Sequence, residues 1–160
     1  MLFRSLTLLI ITFCFASCDA LTDSSQKQTD YLIFGHFYGQ CVGDECVVNF
    51  KVTDGGDLYK DENDAYAGVG DFSLKKLPSE NFELAEEIRS SIPQKLLSSE
   101  SQTFGCPDCA DQGGVLIQVS EDGNEKKWKI DQDKDNIPAY LHDFVDEVNA
   151  TIREIQQHNK

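Results

Sequence analysis

The chain has 160 residues and a formal net charge of −14, from 28 acidic and 14 basic side chains. This balance excludes nucleic acid as a partner class, because binding a phosphate backbone relies on Lys and Arg to neutralise it. It also excludes attachment to an anionic membrane through a basic face, so the acidic residues, spread along the chain, serve first as solubilising charge.

At the N-terminus, Arg4 precedes a largely apolar run from Leu6 to Ala16. The run is shorter than the roughly 20 residues of a membrane span and has the length of a secretory signal. It ends in Phe15-Ala16-Ser17-Cys18, where small residues stand directly before a cysteine. This segment resembles a bacterial lipoprotein signal with its lipobox, with Phe15 where the family pattern more often has Leu. The resemblance implies cleavage between Ser17 and Cys18 and acylation of Cys18. It therefore implies a location in the bacterial cell envelope, anchored to a lipid bilayer and facing the periplasm or the cell exterior. An ordinary secretory signal is the alternative, but it leaves Cys18 as an odd thiol whenever cleavage falls before it. Residues 1–17 are thus the expected signal peptide, and their loss removes Arg4 and takes the net charge to −15. Residues 18–30 lack aromatic side chains and read as a flexible tether, and residues 31–160 have the length of a single domain.

Within that domain, Tyr31 to Tyr38 is rich in aromatic and branched residues and predicts a strand. Cys46 to Val52 alternates apolar and polar positions and is its expected partner, with Gly39 to Glu45 closing an antiparallel hairpin. Asp54-Gly55-Gly56-Asp57 is a turn, Leu58 to Lys60 a short third strand, and Phe72 to Leu77 a further addition to the sheet. Between Ser79 and Leu97 the period changes to that of a helix, with Phe82, Ala85, Ile88 and Ile92 on one face, and Pro93 interrupts it. Ser98 to Thr103 reads as polar loop. Val115 to Val119 predicts a strand, and the turn Glu121 to Asn124 leads to a partner strand carrying Trp128 and Ile130. From Pro138 onward, Leu141, Phe144, Val145, Val148, Ile152 and Ile155 form an apolar stripe on a long C-terminal helix. The order of elements predicts an α+β fold: an antiparallel sheet built from two hairpins and covered by two helices.

Four cysteines remain once Cys14 leaves with the signal and Cys18 takes lipid: Cys41, Cys46, Cys106 and Cys109. An exported chain meets oxidising conditions, so structural disulfides are the expected use, with local and crossed pairing both open. A four-thiolate metal site is an alternative, and Cys106-Pro107-Asp108-Cys109 also has the spacing of a dithiol oxidoreductase. The redox reading lacks its helix, because Ala110 to Gly114 leads into a strand, and no helix dipole is available to lower the pKa of Cys106.

Asp131, Asp133 and Asp135 alternate like the opening of a calcium loop, but Asn136 stands at the glycine position, Pro138 follows, and His142 replaces the closing Glu. A solvated turn with negative charge at a helix start is the simpler reading, and Asp61 to Asp64 is likewise expected to be a solvated loop. His36 reads as a half-buried strand residue; with His142 and His158 it forms no catalytic set beside a nucleophile. Asn149-Ala150-Thr151 is a formal glycosylation triplet without force in a bacterial reading. No phosphate loop, serine elbow or paired zinc-binding histidine motif is present.

These features predict a non-catalytic, membrane-anchored lipoprotein that acts as a binding or envelope-associated module with a protein partner and needs no cofactor. In element order the domain is similar to small emfourin-type inhibitors of metallopeptidases, a likeness of architecture that implies an exported inhibitor or partner of a hydrolase. A cysteine-based metal-binding or thiol-redox protein is the third expectation.

Overall fold

The computed structural model describes residues 30–43 and 45–159. The expected signal peptide, the cleavage position Ser17, the lipidation site Cys18 and nearly all of the tether lie outside the described residues.

The apolar runs read from the sequence become a mixed α+β fold around one seven-stranded sheet. Its strands are β1 (Tyr31–Phe37), β2 (Val47–Thr53), β3 (Leu58–Asp61), β4 (Leu74–Lys76), β5 (Gln102–Phe104), β6 (Gly114–Glu121) and β7 (Asn124–Asp131). The spatial order is β4-β3-β2-β1-β6-β7-β5. Neighbours are antiparallel except β5 and β7, which run parallel. The sheet is therefore larger than the four strands of two hairpins: β3 and β4 extend one side, and β5 adds an edge where a polar loop was expected. Gln102 and Thr103 are exposed, so β5 carries none of the apolar alternation that marks a strand in sequence. Its pairing to β7 alone makes it one.

Alternation sorts the sheet into two faces. Leu32, Phe34, Val48, Phe50, Val115, Ile117, Trp128 and Ile130 point to the helical side and form the larger core. Three helices cover that side: α1 (Phe82–Ser91), α2 (Gln94–Leu97) and α3 (His142–His158). α1 ends at Ile92 because Pro93 breaks the helix, and α2 resumes for one turn. Pro138 precedes a 3-10 turn, Ala139–Leu141, that runs directly into α3. Ala85 and Ile88 of α1 and Val148, Ile152 and Ile155 of α3 are fully buried against the sheet. Each buried Val, Leu or Ile side chain contributes about 1.5–3 kcal/mol.

The second face is also covered, though by a loop. Tyr31, Ile33, Phe37 and Leu116 are buried there beneath Ala67 and Phe72. Asp61, expected in solvent, is 1 % exposed and closes this covering loop at both ends. Its Oδ1 accepts from Asn63 N at 3.1 Å and Ser73 N at 2.9 Å, and its Oδ2 from Ala65 N at 2.8 Å. The correction has a physical reason: a carboxylate that receives three backbone N–H groups is satisfied without water. Asn49 Nδ2 holds the middle of the loop by donating to the Ala65 carbonyl at 3.0 Å. Gly35, opposite Asn49 on β1, makes room for it, since a Cβ there would lie 2.4 Å from Asn49 Oδ1 and 2.3 Å from the Val48 carbonyl.

Among the described residues, no helix is long and apolar enough to cross a membrane.

Candidate functional site

β1 begins at one pole of the sheet and ends at the other. At its start, the Asp30 carbonyl accepts from Asp54 N at 3.2 Å and Asp30 Oδ1 from Asp122 N at 2.9 Å, so the chain enters among the turns 54–57 and 121–124. At its far end stand the segments 38–46, 105–113 and 131–141, and with them all four of the remaining cysteines.

The pairing is local. Cys41 bonds to Cys46 and Cys106 to Cys109, each with Cα atoms 5.5 Å apart, so the thiols are joined to each other and the fold supplies no four-thiolate centre. Tyr38 N donates to the Cys46 carbonyl at 2.9 Å and Cys46 N to the Gly43 carbonyl at 3.2 Å, which folds the first loop back on β1. The second loop turns at Asp108, whose φ of 63° lies in the left-handed region, and Cys109 N donates to the Cys106 carbonyl at 3.1 Å. The element that follows it is β6, a strand, so no helix begins at Cys106.

Two carboxylates fasten this pole. Asp108 Oδ2 accepts from Gly39 N at 2.7 Å and from the Tyr66 hydroxyl, while Oδ1 accepts from Gly113 N at 3.1 Å. One side chain inside the Cys106–Cys109 loop thus joins the β1–β2 connection, the covering loop and the approach to β6. The bond to Asp108, aided by burial and by the carboxylate charge, pushes the Tyr66 phenol up to about 12. Asp131 is the second clamp. It is fully buried, which corrects the expectation of a solvated turn. Oδ1 accepts from Gln112 Nε2 at 3.0 Å and Asp133 N at 2.9 Å, and Oδ2 from Cys106 N at 2.9 Å and Asn136 Nδ2 at 3.1 Å. Burial pushes its carboxyl up, but the hydrogen bonds from Gln112, Asp133, Cys106 and Asn136 outweigh it and hold the group below the ordinary carboxylate range.

The alternating acidic residues find their use in this arrangement. Asp131 accepts from the N–H of Asp133, and Asp133 from that of Asp135 at 3.0 Å, two successive Asx turns. Among the described residues, no group of three or more His, Cys, Asp or Glu side chains is placed to hold a metal ion. The same i to i+2 spacing links Asp61 to Asn63, so it was the available signal for both buried carboxylates.

His36 is buried, with Nε2 donating to the Glu45 carbonyl at 3.0 Å and its ring edge-on to Tyr38. Burial lowers its pKa, against the raising effect of the Glu45 carbonyl and Asn149. His142 Nε2 donates to the Ile137 carbonyl at 3.2 Å, and His158 is exposed at the end of α3. His36 and His142 are thus each held by a separate backbone carbonyl. Asn149, the head of the formal glycosylation triplet, is engaged by Gln132 at 2.8 Å and the Val145 carbonyl at 3.0 Å.

Concavities among the described residues include three of note. A groove of about 530 Å³ between β3 and the end of α3 carries Glu45, Asp61, Glu62 and Asp64 with Lys60 and Lys75. A shallow one of about 660 Å³ lies between α1 and α3 and is lined by Glu83, Glu86, Glu87 and Glu147. The third, about 300 Å³, sits on the loop-covered face beside the Cys106–Cys109 disulfide, between Phe37, Tyr66, Pro107 and Lys129. Sequence reading gave no warning of the third, because its walls come from segments up to 92 residues apart. Comparison of the chain with family models, with curated proteins and with solved structures found no match to any of them.

Proposed function

We propose that this chain is a lipid-anchored binding module of a bacterial envelope, tethered through Cys18 and meeting a protein partner with its disulfide-bonded pole. One observation carries the reading: the chain enters the fold at Asp30, and both disulfides lie at the opposite end of β1. Twelve residues separate Cys18 from the start of β1, a reach of at most about 40 Å. The entry pole carries Asp30, Glu121 and Asp122, besides Asp54 and Asp57 paired to Arg89 and Lys76, and an anionic lipid surface repels its net negative charge. An anchor on Cys18 therefore holds the acidic pole towards the membrane at a distance and presents the disulfide pole outward. The disulfides fit an oxidising compartment such as the periplasm or the extracellular space.

The test is Cys18→Ser in the native host. Release from membranes, with acyl mass on the wild type alone, supports the anchor; unchanged membrane retention without acyl mass overturns it. Crosslinkers placed at Gln40 and Ala110 should capture an envelope protein that a crosslinker at Gly123 does not.

A second reading, an exported inhibitor or partner of a hydrolase, is favoured by Val42. It stands fully exposed in the loop that the Cys41–Cys46 bond closes, a pre-ordered apolar tip of the kind that enters a partner's pocket at small entropic cost. Val42→Asp should then abolish inhibition of the hydrolase while leaving the unfolding midpoint within experimental error.

A further inference from the structure

We propose that the 300 Å³ pocket between the covering loop and β5 is a ligand site for a carboxylate joined to an apolar group. The inference rests on the binding-module reading and adds to it where the ligand sits and what chemistry recognises it.

The pocket exists because the covering loop stops short. It lies over Leu116, which a Cβ on Gly68 would approach to 2.8 Å, and its near edge is fixed by Lys127 Nζ donating to the Gly68 carbonyl at 3.0 Å. Beyond that edge the same face continues through β7 to β5 without a cover. There Lys129 stands in register between Leu116 of β6 and Thr103 of β5. Phe37, Tyr66, Ala67 and Pro107 form the apolar walls, and Thr103 and Gly105 the rim along β5.

Lys129 supplies the charge logic. Its neighbours are engaged: Lys126 Nζ donates to the Leu97 carbonyl at 2.8 Å and Lys127 Nζ to Gly68. Lys129 has no acceptor among the described residues, in a chain with twice as many acidic as basic side chains. Two carboxylates close in the chain and in the adjoining loop, Asp131 and Asp108, are held by other donors. Asp131 is filled by Gln112, Cys106, Asp133 and Asn136, and Asp108 by Gly39, Tyr66 and Gly113. An ammonium beside apolar walls, with no hydrogen-bond acceptor of its own among the described residues, is matched by a ligand that brings both an apolar body and one carboxylate. Inorganic phosphate matches the charge but leaves the walls empty.

The same chemistry comes from two sources, a free small acid or the C-terminal residue of a peptide. β5 is an edge strand three residues long, so a peptide could pair along its outer side and place its last residue in the pocket.

The test is a ¹H–¹⁵N NMR titration of the full oxidised chain carrying Cys18→Ser. The probes are 3-phenylpropionate, its amide, inorganic phosphate, and one peptide ending in Phe with a free or amidated C-terminus. The acid should move the resonances of Ala67, Thr103 and Lys129 saturably, with the amide and phosphate at least tenfold weaker. Lys129→Gln should weaken the acid about tenfold, and Lys129→Arg should retain it, which separates charge from folding. Added shifts through Gln102 to Phe104 with the free-acid peptide alone identify the peptide source; binding confined to the pocket identifies the small acid. Equal binding of acid and amide, an unaltered affinity in Lys129→Gln, or shifts confined to another groove overturns the site. An envelope partner captured equally by wild type and Lys129→Gln also overturns this site, yet leaves the binding-module reading standing.

Discussion

Replacing Asp131 with Asn keeps the shape of the side chain while removing its charge and one of its two acceptor oxygens. The native carboxylate receives four donors at 2.9–3.1 Å, two on each oxygen. An amide has one acceptor oxygen, so in either orientation two N–H donors face an NH₂ group. A hydrogen bond to a charged group contributes about 1.5–3 kcal/mol. One of the two displaced donors is always a side-chain amide, Gln112 or Asn136, which is at least partly exposed and turns to water; the other is a backbone N–H fixed in place. The expected loss is therefore about 3 kcal/mol, against a total stability of about 5–15 kcal/mol for a domain of this kind. Urea unfolding of the oxidised protein, read by the fluorescence of Trp128, gives the number directly, since this single tryptophan is fully buried. Asp133→Asn is the control: Asp133 is exposed and its two bonds, at 3.0 and 3.4 Å, lie at the surface, so its cost should stay below about 1 kcal/mol.

Acid provides an independent arm. The folded Asp131 carboxyl sits below its ordinary range, so its contribution is complete above that range and is lost as pH falls through the folded value. Each proton taken up on unfolding changes stability by about 1.4 kcal/mol per pH unit. Wild-type stability should therefore fall more steeply than that of Asp131→Asn below about pH 4. A variant within 1 kcal/mol of wild type, with an unchanged urea dependence and the same acid slope, would refute the assignment of this carboxylate as a clamp.

Three further outcomes follow from the same geometry. Nonreducing peptide maps should show only the Cys41–Cys46 and Cys106–Cys109 links, and replacing either pair with Ser should cost about 2 kcal/mol in urea unfolding, the chain-entropy value for such short loops; a Cys41–Cys106 peptide would contradict the pairing. Asp108→Asn should bring the Tyr66 phenol from about 12 back towards 10, seen as an added ionisation near 295 nm in an alkaline titration, and an unchanged titration would remove Asp108 as its partner. Gly35→Ala should destabilise by about 2–4 kcal/mol and expose the loop-covered face to hydrogen exchange, because the new methyl meets the Val48 carbonyl and Asn49; wild-type protection of residues 65–68 would count against that contact.

Much of the fold is readable without coordinates. The alternation in Cys46 to Val52 and the three-and-four spacing from Leu141 to Ile155 record which side of each element is dry, and the elements form there, the strand one residue further on at Val47–Thr53. Pro93 and Pro138 act locally, so their effects on the helices are equally legible. The site is less so. Asp61, Asp108 and Asp131 have the composition of solvated turns, and their charge alone predicts exposure. The burial of Asp61 and Asp131 depends on donors that arrive from elsewhere, Ser73 to Asp61 across 12 residues and Cys106 to Asp131 across 25, and Gly39 reaches the half-buried Asp108 across 69.

By itself, then, the sequence determined the longer strands and helices, the mixed α+β class and the acidic character of the chain, since each follows from residue type and local spacing. Tertiary structure alone decided that β5 joins the sheet in parallel, that a loop covers the second face, that the cysteines pair within their own loops, and that Lys129 is left beside an apolar pocket. These are outcomes of long-range pairing. Whether a carboxylate is clamped or a lysine stranded depends on which distant backbone groups the fold brings within about 3 Å.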